Sequence, residues 1–160
     1  MPNRARIGLV AVTVVLLLAT ARPAWAVPGL GVSTPSVALA TFAPGSTATG
    51  GGSLTVTTVP PGAWTLKAAD TTGHAGHLVP GAVGCAGNEA QTVSPLVVSA
   101  SGLLGSTVSA GAVTIGSSAL TVATGSASDT VSVAYSLVVE RTEAMSTGCV
   151  FSTTVTYTVQ

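Results

Sequence analysis

The sequence feature that most restricts the fold of this chain is an alternation of apolar and small polar residues near its C-terminal end. Between Thr130 and Glu140 every second residue is large and apolar, namely Val131, Val133, Tyr135, Leu137 and Val139, and the residues between them include Ser132, Ala134 and Ser136. A period of two turns one face of a β-strand toward a core and the other toward solvent. Residues 151–159 repeat the pattern, so we predict two long, half-buried strands.

Shorter runs of the same kind predict six more strands. They cover residues 36–42, 53–59, 64–68, 91–98, 112–115 and 120–124. Residues that break strands and close turns stand between them: Pro44-Gly45, Gly50-Gly51-Gly52, Pro60-Pro61-Gly62, Gly84, Gly102, Gly116 and Gly125. Eight strands separated by turn signals predict an all-β fold, a single antiparallel β-sandwich of the Greek-key type over residues 36–160.

Composition excludes several other classes of protein. Of the 160 residues, 47% are hydrophobic and 6% are charged, which is the opposite of a disordered chain. Five Lys and Arg residues cannot form the basic surface that nucleic acid binding requires. After Ala26, Thr and Val greatly outnumber the residues that favour helix surfaces, so a sheet is favoured over helices.

The first 26 residues are typical of a secretory signal peptide. Arg4 and Arg6 precede a 14-residue apolar run, residues 7–20, and Ala24-Trp25-Ala26 supplies a cleavage pattern. The run is too short for a bilayer core of roughly 30 Å at about 1.5 Å per helical residue. We therefore predict cleavage after Ala26, export, and no membrane span in the mature chain, in which residues 27–35 form an irregular lead-in.

The mature chain carries two basic residues, Lys67 and Arg141, and five acidic residues, which gives a net charge of −3. Its two cysteines, Cys85 and Cys149, both lie in the exported part. In an oxidising compartment we expect them to form one disulfide. A chain of this size is one ordinary domain that can bury a single core.

Residues that could support catalysis or metal binding are few. Asp70, His74 and His77 lie close together in a glycine-containing loop and could contribute to a metal site, but the spacing lacks a fourth ligand and also fits two exposed loop histidines. No Gly-x-Ser-x-Gly elbow and no phosphate-binding loop is present. We predict a protein that is not an enzyme and that uses neither metal nor cofactor.

Trp64 stands out because Pro60-Pro61-Gly62 delivers the chain into a short strand in which Trp64 and Leu66 share a face. The residue pattern favours a core position for this tryptophan. Burial of so large an apolar side chain stabilises a sandwich by on the order of a few kcal/mol. The alternative is an exposed aromatic platform for a sugar ring.

These residues also carry a family resemblance. Trp64-Thr65-Leu66 reads as Trp-x-Leu, and residues 151–159 resemble an altered Tyr-x-x-x-Leu-Thr-Trp-x-Leu. They are similar to the proximal and distal motifs of the WxL domain family of secreted bacterial cell-surface proteins. Phe, Val, Tyr and Val replace four family residues, and Thr156 is identical. The positions that match are Trp64, Leu66, Phe151, Val155, Thr156, Tyr157 and Val159.

The resemblance implies non-covalent attachment to the bacterial cell wall, with peptidoglycan as ligand and other secreted surface proteins as partners. The absence of a Leu-Pro-x-Thr-Gly sorting signal in the sequence agrees with attachment by the folded domain itself. The alternative is a pilin-like structural or assembly subunit that pairs its uncharged strand edges with neighbouring molecules.

Overall fold

A computed structural model describes residues 10–16, 28–32, 36–40 and 42–160. It contains twelve strands: β1 Val10–Leu16, β2 Gly29–Val32, β3 Ser36–Val37, β4 Thr47–Thr57, β5 Trp64–Asp70, β6 Val79–Pro80, β7 Val97–Gly102, β8 Thr107–Ser109, β9 Val113–Thr114, β10 Leu120–Gly125, β11 Asp129–Val138 and β12 Phe151–Val159. No helix in this part of the chain is long and apolar enough to span a membrane.

The strands form two sheets that enclose one core. Sheet A has the order β3-β1-β12-β5-β10-β8, with β6 also paired to β12, and sheet B has the order β2-β4-β11-β7-β9. From β6 onward each connection passes from one sheet to the other. Described strands that follow one another in sequence are therefore not hydrogen-bonded to each other. Such crossing connections are a feature of Greek-key sandwiches, and the predicted fold class is confirmed.

The core lies between the two sheets and follows the predicted alternation. On β11 the inward residues Val131, Val133, Tyr135 and Leu137 are buried, whereas Ser132, Ala134 and Ser136 between them are at least partly exposed. On β12, Phe151, Val155, Tyr157 and Val159 are buried in the same way. The period of two is thus confirmed on both strands, one in each sheet.

The predicted turn at Gly50-Gly51-Gly52 is wrong, because these glycines lie in the middle of β4 and pair with residues 133–135 of β11. The reason is close packing. A Cβ atom on Gly50 would lie 2.7 Å from Val37 Cγ1 and 2.9 Å from the Ala38 carbonyl oxygen. Glycine therefore marks a crowded strand position here rather than a break in the strand.

Strand boundaries also differ from the prediction between residues 91 and 102. We predicted a strand over residues 91–98, but β7 begins at Val97 and ends at Gly102. Thr92 and Leu96 instead hold the preceding loop: the Thr92 hydroxyl accepts from the Leu78 N–H, and the Leu96 N–H donates to the Gly76 carbonyl. These loop contacts bury Thr92 and Leu96 without strand geometry.

The N-terminal region contributes two strands that the sequence did not predict. Within the expected lead-in, Gly29–Val32 forms β2 and pairs with β4. Within the predicted leader, Val10–Leu16 forms β1, which runs parallel to β12, the one parallel ladder among the described strands. The predicted cleavage pattern, residues 24–26, lies outside the described residues.

The predicted disulfide is confirmed, and it joins Cys85 to Cys149 just before β12. Closing a loop of this length removes on the order of 4 kcal/mol of unfolded-state entropy in the chain-entropy model. Glu89 organises the same loop by accepting from the N–H groups of Ala86 and Gly87 at 3.0 and 2.9 Å. A hydrogen bond from the Ser146 side chain, together with these N–H donors, lowers the pKa of Glu89 to about 2.

Candidate functional site

The two segments that resemble the WxL motifs become neighbours in sheet A. Leu66 on β5 lies opposite Val159 on β12, and the main chains of Thr65 and Gln160 exchange two hydrogen bonds of 2.9 and 3.1 Å. All seven residues of the resemblance are buried: Trp64, Leu66, Phe151, Val155, Thr156, Tyr157 and Val159. The six apolar side chains belong to the core and present no ring to a ligand, whereas Thr156 lies on the other face of β12, where its hydroxyl is hydrogen-bonded to that of Thr71 at 2.9 Å.

Trp64 occupies a specific core position at one end of the sandwich. Its side chain is 2% exposed, and its indole Nε1–H donates to the Ala127 carbonyl oxygen at 2.7 Å. A Cβ atom on Gly125, the cross-strand partner of Trp64, would lie only 2.2 Å from the indole ring. Because Gly125 has no side chain, it leaves the space that the indole ring occupies. The predicted core position of Trp64 is confirmed.

The two tyrosines link the sheets inside the core. The Tyr157 hydroxyl on β12 donates to the Tyr135 hydroxyl on β11 at 3.0 Å. Burial raises the pKa of both phenols, that of Tyr157 well above 10. Phe42 and Phe151 are also buried, so the described part of the chain exposes no aromatic ring on which a sugar could stack.

Asp70, one of the residues considered for a metal site, is committed to its own loop. Its carboxylate accepts from the Thr72 N–H at 2.7 Å, the Thr72 hydroxyl at 2.5 Å, the Gly76 N–H at 2.8 Å and the Thr153 hydroxyl at 3.3 Å. Burial alone would raise its pKa, but these donors outweigh it and lower the pKa. The carboxylate oxygens of Asp70 therefore accept hydrogen bonds that stabilise the fold and are not directed at a metal site.

His74 and His77 do not converge with Asp70. The His77 Nδ1–H donates to the Thr92 carbonyl oxygen at 2.7 Å, and the His77 N–H donates to the His74 carbonyl oxygen. In the part of the chain that the structure describes, Cys85, Glu89 and Cys149 alone bring three potential ligand atoms within 4.8 Å of one another, and their sulfurs are bonded together.

A shallow trough of about 600 Å³ lies on the outer face of sheet B and is also bordered by Ser109 of β8. Two rows of small residues cross β4, β11 and β7 in register. One row is Gly51, Ala134 and Ser99, and the next is Ser53, Ser132 and Ser101. The next row at one side is Thr49, Ser136 and Val97, in which Thr49 and Val97 are larger than the residues of the first two rows. We call this surface the serine trough.

The chemistry of the serine trough is uncharged and rich in hydroxyl groups. Its lining includes five serines, and the remaining lining residues are Gly51, Gly52, Ala100, Val133 and Ala134, none of them charged or aromatic. A serine hydroxyl can donate one hydrogen bond and accept two, and that of Ser109 already accepts from the Gly111 N–H at 3.0 Å. With the capacity that remains, the trough can bind a neutral, hydroxyl- or amide-bearing chain by hydrogen bonds.

Sequence reasoning did not identify the serine trough. The signal available was the small outward set Ser132, Ala134 and Ser136 on β11, which specified a solvent face but not a concave one. The concavity requires β4 and β7 on both sides of β11, each contributing small residues at matching positions. Those strand neighbours are far apart in the sequence, so the alternation in one strand could not reveal them.

Comparison of the chain with models of known protein families and with curated proteins finds no match.

Proposed function

We propose that this protein is an exported cell-surface module that attaches non-covalently to the bacterial cell wall through the serine trough, with peptidoglycan as ligand. A disulfide-linked β-sandwich suits an extracellular location. The resemblance to WxL domains supports the same location. The observation that carries the proposal is the uncharged, hydroxyl-lined trough of about 600 Å³ on an exposed sheet face.

The proposed binding mode follows from what lines the trough. Peptidoglycan presents hydroxyl and amide groups on an extended chain, and the serine rows offer complementary donors and acceptors spaced at strand intervals of roughly 4.8 Å. Because the described aromatic side chains are buried, affinity would come from hydrogen bonds rather than from ring stacking. Individual contacts would then be weak, about 1 kcal/mol each, and binding would depend on several at once.

The first prediction is that filling the trough weakens wall binding. Ala134→Gln places a larger neutral side chain at the centre of the trough, on the exposed face of β11. We expect sedimentation of the exported protein with purified cell wall to fall by about tenfold, which corresponds to roughly 1.4 kcal/mol. The melting temperature should change little, because the residue points away from the core.

Val138→Gln is the matched control for this experiment. Val138 lies on the same strand and the same outward face, and it is 51% exposed, but it does not line the trough. The control should bind wall as the unmodified protein does. Equal sedimentation of both variants and the unmodified protein would contradict the proposal, and equal loss in both would assign the effect to β11 in general.

A second candidate function is a structural subunit that joins neighbouring molecules by pairing strands. The specific observation in its favour is that one edge of β12, the strand at the centre of sheet A, is closed by β1, a segment of the predicted leader. This function would use a strand edge, whereas wall attachment would use a sheet face. Denaturation-resistant polymers on the cell surface would favour it, and monomers that sediment with wall would favour the first.

A further inference from the structure

The two edges of β12 are paired very differently. One edge is shared by β6, at Phe151 and Ser152, and by β5, from Val155 to Val159. The other edge is paired by β1 alone, over seven consecutive residues from Phe151 to Tyr157. Because β6 and β1 both pair with Phe151, they must lie on opposite sides of the strand.

The strand β1 fits a slot between β12 and β3. It runs parallel to β12, and at Val12 and Thr13 it pairs antiparallel with Val37 and Ser36 of β3. With roughly 4.8 Å between neighbouring strands, β12 and β3 are separated by about twice that distance. Without β1, neither strand could reach the other to pair its backbone groups.

The sequence of β1 has an apolar residue at every register position opposite the core side of β12. The residues in register with the core positions Phe151, Thr153, Val155 and Tyr157 of β12 are, in order, Val10, Val12, Val14 and Leu16. Each of these four is a branched apolar residue. The intervening register positions hold Ala11, Thr13 and Val15, so the segment carries no charge and Thr13 is its one polar residue. A seven-residue, uncharged segment with a branched apolar residue at each position opposite the core side of β12 is thus the kind of strand that the slot accommodates.

Cleavage after Ala26, which the sequence predicts, would remove this strand from the exported protein. The β12 edge would then expose unpaired N–H and C=O groups beside the buried residues Phe151, Val155 and Tyr157. An open edge of this length is a template for another strand. Burial of the β12 residues in the full-length chain includes the contribution of β1.

We propose that the β12 edge of the exported protein accepts a strand donated by another polypeptide, and that Val10–Leu16 shows the register and chemistry of that donor. The donor is an extended, uncharged segment with branched apolar residues at alternate positions, and it runs parallel to β12. A second copy of this chain is disfavoured as donor. Between residues 28 and 160, the described strands of seven or more residues other than β12 itself are already paired within the sandwich: β4, β5 and β11.

This inference deepens the second candidate function, since it names the accepting edge and the chemistry of the donor. Its test does not involve the cell wall or the serine trough. Failure of strand acceptance would leave wall attachment through sheet B unaffected, and loss of wall binding in Ala134→Gln would leave strand acceptance unaffected.

Disulfide trapping in register tests the proposal. The probe is a synthetic peptide with the sequence of residues 10–16, lysines at both ends for solubility, and Thr13 replaced by cysteine. The protein is the exported form of Thr154→Cys, because Thr154 pairs with Thr13 and lies on the half-exposed outer face of β12. Its N-terminus is first determined by mass spectrometry, and the Cys85–Cys149 bond is left intact.

Thr158→Cys is the matched control, since it lies on the same strand and the same face but outside the seven paired residues. Trapping should be about tenfold faster at position 154, because a disulfide needs Cβ atoms roughly 3.5–4.5 Å apart and position 158 is four residues further along the strand. The cysteine-free peptide should raise the melting temperature of the unmodified exported protein by about 5 °C at saturation, and it should protect β12 amides from hydrogen exchange. A peptide with proline in place of Val12 and Val14 should do neither.

Several results would overturn the inference. Equal trapping at positions 154 and 158, or β12 amides that are fully protected without peptide and a melting temperature that the peptide leaves unchanged, would show that the edge accepts no strand. An exported chain that begins at Met1 would keep its own β1. Homopolymers that the peptide dissociates would show that a second copy, and not another polypeptide, is the donor.

Discussion

The two ends of the sandwich are each held by a buried aspartate, and the two sites use the same chemistry with different geometry. Asp70 ends β5 and binds the loop that follows it, while Asp129 begins β11 and binds the loop between β7 and β8. Trp64, at the other end of β5 from Asp70, contacts the segment next to Asp129 through Ala127. The same device therefore stabilises loops about 20 Å apart, the length of β5 at roughly 3.3 Å per residue.

Both carboxylates are satisfied by neutral donors. Asp129 accepts from the Leu104 N–H at 2.9 Å, the Ser106 hydroxyl at 3.1 Å and the Thr107 hydroxyl at 2.5 Å. As at Asp70, burial would raise the pKa, and the donated hydrogen bonds outweigh it and lower the pKa. A chain with very few basic residues thus holds two buried anions with hydroxyl and amide groups alone.

The difference lies in what each aspartate connects. Asp70 joins its own loop to β12 through Thr153, a buried residue, and it receives the buried Gly76 N–H. Asp129 binds a loop whose tip residues Leu103 and Leu104 are 66% and 73% exposed. Water can therefore reach the donors around Asp129 more readily than those around Asp70. We therefore call Asp70, which joins its loop to buried residues, the core tie, and Asp129, which holds an exposed loop, the surface-loop tie.

The largest expected effect is the loss of either carboxylate. Asp70→Ala should lower the free energy of unfolding by about 3–5 kcal/mol, because it leaves buried donors unpaired, and Asp129→Ala should lower it by about 2–3 kcal/mol, because water can hydrate the freed donors. Urea unfolding followed by the fluorescence of Trp64 measures both. A larger loss at Asp129 than at Asp70 would contradict the distinction between the core tie and the surface-loop tie.

A smaller effect should separate the two threonines that donate to the carboxylates. The Thr107 hydroxyl lies 2.5 Å from Asp129, whereas the Thr153 hydroxyl lies 3.3 Å from Asp70 in an apolar setting. Thr107→Val should cost about 1–2 kcal/mol, and Thr153→Val should stay within about 0.5 kcal/mol of zero, since valine fills a buried position well. The same urea titration applies, and equal costs would show that hydrogen-bond length does not decide the contribution.

The smallest expected effect is a change in acid sensitivity below about pH 4. Both aspartates have a lower pKa in the folded state than in the unfolded chain, so their stabilisation is fully present above the unfolded pKa of about 3.9 and is lost as pH falls through the folded value. Stability should be level from pH 7 to about pH 5 and should decline below about pH 4. Asp70→Asn should flatten that decline, and Asp129→Asn should do the same.

Glu89 serves as the reference in the acid experiment. Its pKa is lowered to about 2 by the Ser146 side chain and the N–H groups of its own loop, so it also favours the folded state as long as it is ionised. Glu89→Gln should therefore flatten the decline between about pH 4.3, the pKa of an unfolded glutamate, and about pH 2, a range that overlaps that of the aspartates. If the free energy of unfolding declines with acid equally in both aspartate variants and in the unmodified protein, groups other than these aspartates cause the acid sensitivity.

The parts of this fold that were predictable have local causes. The alternation on β11 and β12 predicts two half-buried strands because side chains on a strand point to opposite faces in turn, and both strands are confirmed. The disulfide was predicted because both cysteines lie in the part of the chain that the sequence predicts to be exported, and it is confirmed. The buried position of Trp64 follows from its apolar neighbour Leu66 at the next position on the same face.

The parts that were missed depend on residues distant in sequence. Gly50-Gly51-Gly52 has the composition of a turn, but β3 packs so closely on Gly50 that glycine is required inside a strand. The serine trough needs three strands in register, and the partner of β12 is a segment more than 130 residues earlier in the sequence. Asp70 resembled a metal ligand because its loop contains two histidines, whereas the fold turns its carboxylate toward Thr72, Gly76 and Thr153.

By itself, the sequence determined an all-sheet body, because a repeat of two residues has one structural solution for a chain that must bury apolar side chains. It also predicted the pairing of Cys85 with Cys149. The tertiary structure alone decided which strands are neighbours, and therefore which small residues line one concave surface, which backbone edge pairs with Val10–Leu16, and which anions hold the loops. Strand pairing is a long-range choice: many partners satisfy the same alternation, and close packing of the assembled sheets selects among them.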